Sequence, residues 1–239
     1  MKTPVLFNIA CRSVLFFGII VNAASGATLN LIDVDFDGTP TPPPHMGFAA
    51  TGHTASDYWN WYTRNDGLGG FLTFGFLSNL QTVEGVATTV GMTIANAPGA
   101  FGIGSSDPMY NSYVYPFDGG NVTITVTNLA AGRYDFYAYT HDGNSELTVG
   151  AVSYGIKHTF EYPSSNPPVW TEGLQYSLFS NVLVGPGQDL VLTERPGTGG
   201  YAVISGFQIQ AVPEPASGVL LGCGLAAGLF RNRKRRAAR

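Results

Sequence analysis

The chain of 239 residues has almost no cysteine. Its two cysteines, Cys11 and Cys223, lie near the two ends, outside residues 28–211. The body of the chain can therefore have no disulfide bond, no thiolate zinc site and no cysteine nucleophile. A domain built from residues 28–211 must be stabilised by its own core, without covalent cross-links.

Charged residues are also scarce, at 12% of the chain, where an ordinary protein has about a quarter. Of the 12 Lys and Arg residues, two lie in residues 1–27 and six in residues 212–239, which leaves four in residues 28–211. Fifteen of the 16 Asp and Glu residues lie in that middle segment, so its formal charge is -11. This charge repels phosphate backbones, which argues against nucleic acid as a partner, and it attracts cations such as calcium.

The middle segment also lacks the apolar stripe of a helix, and shows period-two alternation instead. Residues 121–127 place Val122, Ile124 and Val126 on one face and three threonines on the other. Strands are predicted over 28–36, 71–76, 87–95, 121–127, 133–141, 146–160, 174–184, 189–194 and 200–210. Because Gly and Pro turns separate many of these runs, residues 28–211 are predicted to form one all-β domain, a single β-sandwich with a jelly-roll arrangement.

Residues 1–27 are typical of a secretory signal peptide. Lys2 and Arg12 flank the start, residues 14–21 are apolar, and residues 23–27 are small. Eight apolar residues are too few to cross the roughly 30 Å of membrane hydrocarbon. We therefore expect a signal helix that is cleaved close to Ala27, which makes the body an exported domain.

Residues 212–239 combine three features in a fixed order. Pro213, Glu214 and Pro215 are followed by a 15-residue apolar run over residues 216–230, and six basic residues lie in residues 231–239. As a helix the apolar run would be about 22 Å long, which is short for a permanent membrane span. The basic end is expected to stay in the cytoplasm. A permanent tail anchor is the alternative interpretation.

This segment resembles the PEP-CTERM sorting signal of Gram-negative bacteria. The resemblance implies a transmembrane sorting helix, recognition by the membrane protease exosortase, and cleavage near Pro213, Glu214 and Pro215. It further implies a transient stay in the inner membrane, followed by release to the cell surface or to an exopolysaccharide matrix such as a biofilm. The expected organisation is thus a signal peptide (1–27), a β-sandwich (28–211) and a sorting signal (212–239).

The body resembles the galactose-binding-like jelly rolls that accompany such sorting signals. Short matching pieces lie at residues 57–60, 106–110, 132–141 and 200–209. The resemblance implies the sandwich architecture and a carbohydrate ligand, although fold alone does not establish a ligand.

Asp33, Asp35 and Asp37 precede Gly38 in the spacing that opens an EF-hand loop. The spacing does not continue, because Pro44 stands where the loop needs a bidentate glutamate. Alternating aspartates could still supply ligands to a structural calcium ion in a jelly roll. The alternative is a strand with one solvated acidic face.

Two clusters combine aromatic and polar side chains in the way a carbohydrate site requires. In the first, Asp57 precedes Trp59 and Trp61, which would share one face of an extended strand. Sugars stack their C–H faces on aromatic rings, and carboxylates hold their hydroxyl groups. Burial of the tryptophans in a core is the alternative interpretation.

The second cluster consists of Tyr137, Tyr139, His141 and Asp142, and it ends at a loop. Tyr137, Tyr139 and His141 are predicted to lie on the face opposite Tyr134, Phe136 and Ala138. An ordinary strand surface with cross-strand aromatic pairs is the alternative to a sugar-binding face.

The sequence predicts an exported, non-catalytic matrix protein. It contains no G-x-S-x-G, H-E-x-x-H or P-loop motif. Exosortase and exopolysaccharide are the expected partners, and calcium is the one candidate cofactor. A secreted polysaccharide-degrading enzyme with a carboxylate pair and a self-associating adhesin without a sugar site are the alternatives.

Overall fold

The computed structural model describes residues 30–38, 44–160 and 169–213, and about half of these residues lie in β-strands, with one short helix. The signal segment, Glu214, Pro215 and the sorting helix lie outside the described residues. The elements in chain order are β1 (Leu31–Asp37), β2 (Trp59–Thr63), β3 (Phe74–Leu77), β4 (Gly91–Ala95), β5 (Gly99–Gly102), α1 (Pro108–Asn111), β6 (Ser112–Tyr115), β7 (Val122–Thr127), β8 (Gly132–Tyr139), β9 (Gly143–Val149), β10 (Val152–Thr159), β11 (Tyr176–Val184), β12 (Leu190–Pro196) and β13 (Gly206–Ala211).

Two sheets face each other, which confirms the predicted β-sandwich. One sheet has five strands in the order β11-β8-β13-β1-β2, and the other has six in the order β10-β9-β12-β7-β4-β3. Neighbouring strands run antiparallel except for β1 and β2, which are parallel. A separate two-stranded ribbon consists of β5 and β6. An isolated β-bridge pairs Val114 of β6 with Ile204, which lies two residues before β13.

The main core lies between the two sheets and follows the alternation of the sequence. In β7, Val122, Ile124 and Val126 are fully buried, whereas the threonines between them are partly exposed. Phe136 of β8 stacks on Phe207 of β13, with ring centroids 5.4 Å apart. Strands with one apolar and one polar face bury the apolar face when two sheets pack together.

The outer face of the five-stranded sheet is buried as well. The strand register places Leu178, Tyr137, Gln208, Asp33 and Trp59 side by side in one row across this face. Residues 44–57, which we call the cover segment, lie over this row together with α1.

Met109 of α1 shows how closely the cover approaches the sheet. It is fully buried, and it packs against Gly206 in β13. A Cβ atom at Gly206 would lie 2.6 Å from the carbonyl oxygen of Val34 and 3.0 Å from Cγ of Met109. A glycine is therefore required at this position, because any side chain there would push the helix away from the sheet.

The strand predictions need correction in two ways. The run 146–160 is not one strand but the hairpin of β9 and β10, which turns at Gly150, a residue with positive φ. Strands β2, β5 and β6 are not among the predicted strand ranges, although Trp59 and Trp61 of β2 were expected in an extended segment. In the part of the chain that the structure describes, no helix is long and apolar enough to cross a membrane.

Candidate functional site

A cavity of about 510 Å³ opens between the β5-β6 ribbon, the loop after β8 and the loop between β12 and β13. Its size is within the range of small-molecule sites. Aromatic side chains and a few polar groups line it: Phe101, Tyr113, Tyr115, His141, Asp142, Thr198, Gly199, Tyr201 and Val203.

The rings come mainly from the β5-β6 ribbon. Tyr113 and Tyr115 are two residues apart on β6, so they point to the same face, whereas Val114 between them is fully buried. Phe101 of β5 pairs with Tyr113 across the ribbon, and their ring centroids are 6.0 Å apart. Tyr201 comes from the β12–β13 loop, and its ring lies 5.7 Å from that of Tyr115. Four rings from three segments thus face one opening.

Asp142 supplies the carboxylate of the cavity. Its Oδ2 atom accepts a hydrogen bond from Thr198 Oγ1 at 2.6 Å and one from the Gly199 backbone N–H at 2.8 Å. Partial burial raises the pKa of Asp142, but these hydrogen bonds outweigh it, and the pKa lies below its ordinary value. Asp142 is therefore ionised at neutral pH and can accept hydrogen bonds from a bound molecule.

His141 forms the floor of the cavity, but its side chain has no exposed surface. Its ring lies between those of Tyr110, at 3.9 Å, and Tyr113, at 5.3 Å. Its Nε2 atom is 3.1 Å from Ser205 Oγ. Burial lowers the pKa of His141 to about 4, so the imidazole is neutral at pH 7. The geometry gives His141 the role of supporting the Tyr113 ring, with no ligand contact of its own.

The other members of the two sequence clusters do not reach this cavity. Trp59 is 1% exposed, and its Nε1–H donates to the Gly47 carbonyl at 3.0 Å. Asp57 is buried, and its carboxylate accepts hydrogen bonds from His53 and Thr54, which holds a turn of the cover segment. Trp61 is partly buried on the same strand as Trp59. Trp59 and Asp57 thus hold the cover segment in place.

Tyr137 and Tyr139 are also buried by the cover segment. The hydroxyl of Tyr139 accepts from the Ala50 backbone N–H at 2.8 Å and donates to Gln208. Gln208 in turn donates to the Thr51 carbonyl at 3.0 Å. The face of β8 that was predicted to be a second sugar-binding surface is thus covered by the cover segment. Of the predicted cluster, only His141 and Asp142 line the cavity.

Asp33, Asp35 and Asp37 lie on this same outer face, and all three are buried, so they do not form a solvated strand face. Asp33 accepts from Gln208 Nε2 at 3.0 Å, Asp35 from the His45 backbone N–H at 2.8 Å, and Asp37 from the Gly38 backbone N–H at 2.7 Å.

Each aspartate in β1 thus has its own protein donor. Among residues 30–38, 44–160 and 169–213, no group of three or more His, Cys, Asp or Glu side chains is placed to hold a metal ion. The calcium site at these aspartates stays a prediction from the sequence.

Burial gives two of these aspartates unusual protonation. It raises the pKa of Asp33 to about 8 and that of Asp35 to about 7, against the hydrogen bonds from Gln208 and His45. Asp35 is also near a partly buried pair, since Nδ1 of His45 is 3.1 Å from Oδ2 of Asp107. Asp33 therefore carries its proton at neutral pH, because a lone buried carboxylate is costly to ionise.

The sequence reasoning missed Phe101, Tyr113, Tyr115 and Tyr201 as site residues. One signal was available: Tyr113, Tyr115 and Phe117 alternate with Val114 and Pro116, which is the pattern of a strand with one aromatic face. Asp142 was predicted as a site residue, but nothing local indicated that Tyr201 or the rings of the ribbon would lie beside it. Of the sorting motif, Pro213 is the one residue that the structure describes, two residues after β13 ends at Ala211.

No protein-family model matches this chain, and no curated protein matches its sequence. Among solved structures, the protein YxiM from Bacillus subtilis is 15% identical, with a TM-score of 0.41, over 77% of this chain and 40% of that one. The GH26-CBM35 beta-(1,4)-mannanase of Podospora anserina is 19% identical, with a TM-score of 0.29, over 52% of this chain and 28% of that one. The chain thus spans less than half the length of either, and at these TM-scores neither structure bears on its function.

Proposed function

We propose that this chain is an exported, non-catalytic protein of the cell surface or exopolysaccharide matrix, and that its β-sandwich binds carbohydrate in the aromatic cavity. The observation that carries the proposal is the meeting of four rings and one ionised carboxylate at one opening. The jelly-roll arrangement and the galactose-binding-like family are part of the same proposal, and their support is the resemblance of the sequence.

The chemistry of the cavity suits a sugar better than an apolar ligand. Sugar rings offer C–H faces to Phe101, Tyr115 and Tyr201, while their hydroxyl groups need hydrogen-bond acceptors and donors. Asp142 provides an acceptor whose orientation is held by Thr198 and Gly199. A mostly apolar pocket with a few oriented polar groups is the usual form of a small-molecule site.

The side chains of the cavity favour carbohydrate binding over glycoside hydrolysis. Canonical glycoside hydrolysis uses two carboxyl groups that flank the scissile bond, about 5 to 9.5 Å apart. Asp142 is the one carboxylate among the described residues that line the cavity. His141 is neutral and has no exposed surface. The cavity therefore offers a ligand contacts and orientation, which is what a binding module needs.

Removal of the central ring should weaken binding. We expect Tyr115→Ala to lower the affinity of the full chain for the exopolysaccharide of its host by about tenfold or more, since truncation of a central aromatic anchor costs at least about 1.4 kcal/mol. Isothermal titration in detergent measures this. Phe76→Ala is the matched control, because Phe76 lies on β3 and is 72% exposed.

Two results would contradict this expectation. If the unaltered protein showed no saturable binding to the polysaccharide, the carbohydrate-binding proposal would be wrong, and the body would act as a structural or self-associating module. If Tyr115→Ala and Phe76→Ala weakened binding equally, the cavity would not be the site.

The export and sorting proposal rests on the order of motif, apolar run and basic end in residues 213–239. It is supported by the end of β13 at Ala211, because cleavage near Pro213 would remove no strand of the sandwich. We expect mass spectrometry of the protein from its host to find a C-terminus near Pro213, Glu214 and Pro215, and Glu214→Ala to leave the chain uncut. Full-length, uncut protein in the inner membrane would overturn this part.

A further inference from the structure

The rings of the cavity belong to a longer series that continues outside it. Phe101, Tyr113, Tyr115, Phe117 and Phe71, which we call the aromatic row, follow one another with centroid distances of 6.0, 6.0, 5.8 and 6.4 Å. The first three line the cavity, whereas Phe117 and Phe71 do not. Phe117 is 59% exposed and Phe71 is 56% exposed. The row therefore leads from the cavity onto an open surface.

The row is held in place by the backbone beneath it. Tyr113 and Tyr115 alternate with inward residues of β6, and Phe117 continues the same spacing after the strand ends. The ring of Tyr115 lies over Gly99 of β5, where an added Cβ atom would be 2.6 Å from the ring carbons. Gly99 thus sets the orientation of this central ring.

The outer end of the row is also fixed. The Arg64 guanidinium lies 3.8 Å from the centroid of the Phe71 ring, and its Nη1 donates to the Pro98 carbonyl at 2.8 Å. A cation above an aromatic ring at this distance is an attractive contact. The last ring is therefore anchored, although more than half of its surface is exposed.

From this row we infer that the protein binds the interior of an extended, uncharged polysaccharide chain. The inference rests on the proposed carbohydrate binding and names its substrate class. A pocket for a single terminal sugar would be closed by side chains beyond Tyr115, whereas here two further exposed rings follow. Ring spacings near 6 Å are comparable to the length of one sugar residue in an extended chain. Neighbouring rings in the row are tilted by 35° or lie edge to face, at 67 to 77°, so successive sugar residues would contact both faces and edges of the rings.

The charges near the row argue for a neutral chain. Asp142 is at the cavity and Asp118 follows Phe117, whereas the cation at Phe71, Arg64, is already engaged with a ring and a carbonyl. The other basic residues of the body have partners elsewhere: Arg133 contacts Asn181, Lys157 pairs with Glu172, and Arg195 pairs with Glu146. A polyuronate would meet the two carboxylates of Asp142 and Asp118, and the single cation beside the row among the described residues, Arg64, has its contacts with Phe71 and Pro98 already. Two negative charges against one positive charge favour a neutral chain, because like charges repel.

The test compares the affinities of the full-length protein, in detergent, for oligosaccharides of different length. The probes are neutral oligosaccharides of two, four and six residues, prepared from the exopolysaccharide of the host, and alginate as a polyuronate. We expect the six-residue probe to bind at least about tenfold more tightly than the two-residue probe, and alginate to bind without saturation.

The variants separate the two ends of the row. Phe117→Ala and Phe71→Ala should lower the affinity for the six-residue probe about tenfold and leave that for the two-residue probe unchanged. Gly99→Ala should weaken both, because it displaces Tyr115. Phe76→Ala should change neither, and thermal unfolding checks that each variant is folded.

The possible failures are distinct. The extended-chain inference would be overturned if the protein bound probes of all lengths with equal affinity and if Phe117→Ala and Phe71→Ala left that affinity unchanged. The carbohydrate-binding proposal would then remain intact. Saturable binding of alginate would overturn the neutral-chain part. An absence of binding for every probe to the unaltered protein would overturn the proposed function itself.

Discussion

The free energy of unfolding should fall as the pH rises from 6.5 to 8, by about 3 kcal/mol from Asp33 and Glu194 together. Both side chains are fully buried. Burial raises the pKa of Asp33 to about 8 and that of Glu194 to about 8, although Gln208 donates to the first and Ser145 to the second. The folded protein therefore keeps two protons that the unfolded chain releases.

The direction of the effect follows from linkage. A carboxyl group whose pKa is raised in the folded state stabilises the fold fully below its unfolded pKa, and this stability is lost as the pH rises through the folded pKa. Each group contributes about 1.36 kcal/mol per pH unit well below its folded pKa and half of that at pH 8, which gives about 1.6 kcal/mol per group over the window. His141, with its pKa lowered to about 4, acts in the opposite direction, and its effect between pH 6.5 and 8 is about 0.4 kcal/mol. Burial raises the pKa of Asp35 to about 7, whereas burial of His45 is outweighed by its contacts with Asp107, which raise the pKa of His45. Both groups act in the same direction as Asp33, so a variant is needed to isolate the contribution of Asp33.

The measurement is urea unfolding at pH 6.5 and pH 8 for the unaltered protein and for Asp33→Asn. The amide keeps the oxygen that accepts from Gln208 and has no proton to lose, so the variant should lose about 1.6 kcal/mol of the pH dependence. Asp66→Asn is the control: backbone N–H groups of Leu68 and Gly70 lower the pKa of this exposed carboxyl, which is ionised throughout the window. A stability that stayed constant or rose between the two pH values would show that Asp33 and Glu194 are ionised in the folded protein.

Trp59→Ala should destabilise the protein by about 3 to 5 kcal/mol, the usual cost of truncating a buried large aromatic residue. Trp59 is 1% exposed, its centroid is 4.7 Å from the His45 ring, and its indole N–H donates to Gly47. Its removal would leave a cavity under the cover segment and an unpaired Gly47 carbonyl. The cover segment would lose its main contact with the edge strand β2.

Urea unfolding measures the loss, and sugar titration shows that it is structural. Trp61→Ala is the matched control on the same strand, and we expect a smaller loss because Trp61 is only partly buried. Under conditions where Trp59→Ala remains folded, its affinity for the polysaccharide should be close to that of the unaltered protein. If Trp59→Ala were as stable as the unaltered protein but had lost sugar binding, Trp59 would be a carbohydrate-binding residue, as its sequence pattern predicted.

Strand alternation explains which predictions were successful. The Val and Thr positions of β7 and the Tyr134, Phe136 and Ala138 face of β8 lie in the structure as the period of two requires. The outer face of β8 carries polar and aromatic side chains, such as Tyr137 and Tyr139. The local sequence pattern cannot show whether such a face is exposed to solvent or covered by another segment. Here the cover segment, about 90 residues away from Tyr139 in the chain, lies over it.

The sequence by itself determined a cysteine-free, acidic, mostly β body and the approximate positions of most of its strands, because composition and period-two alternation are local properties. Only the tertiary structure decided where a ligand could bind. Phe101, Tyr115, Asp142 and Tyr201 lie far apart in the chain, and they meet because sheet register and loop packing join three separate segments. Tertiary packing likewise buried Trp59 and Asp33, since burial depends on what covers a strand and not on the strand's own residues.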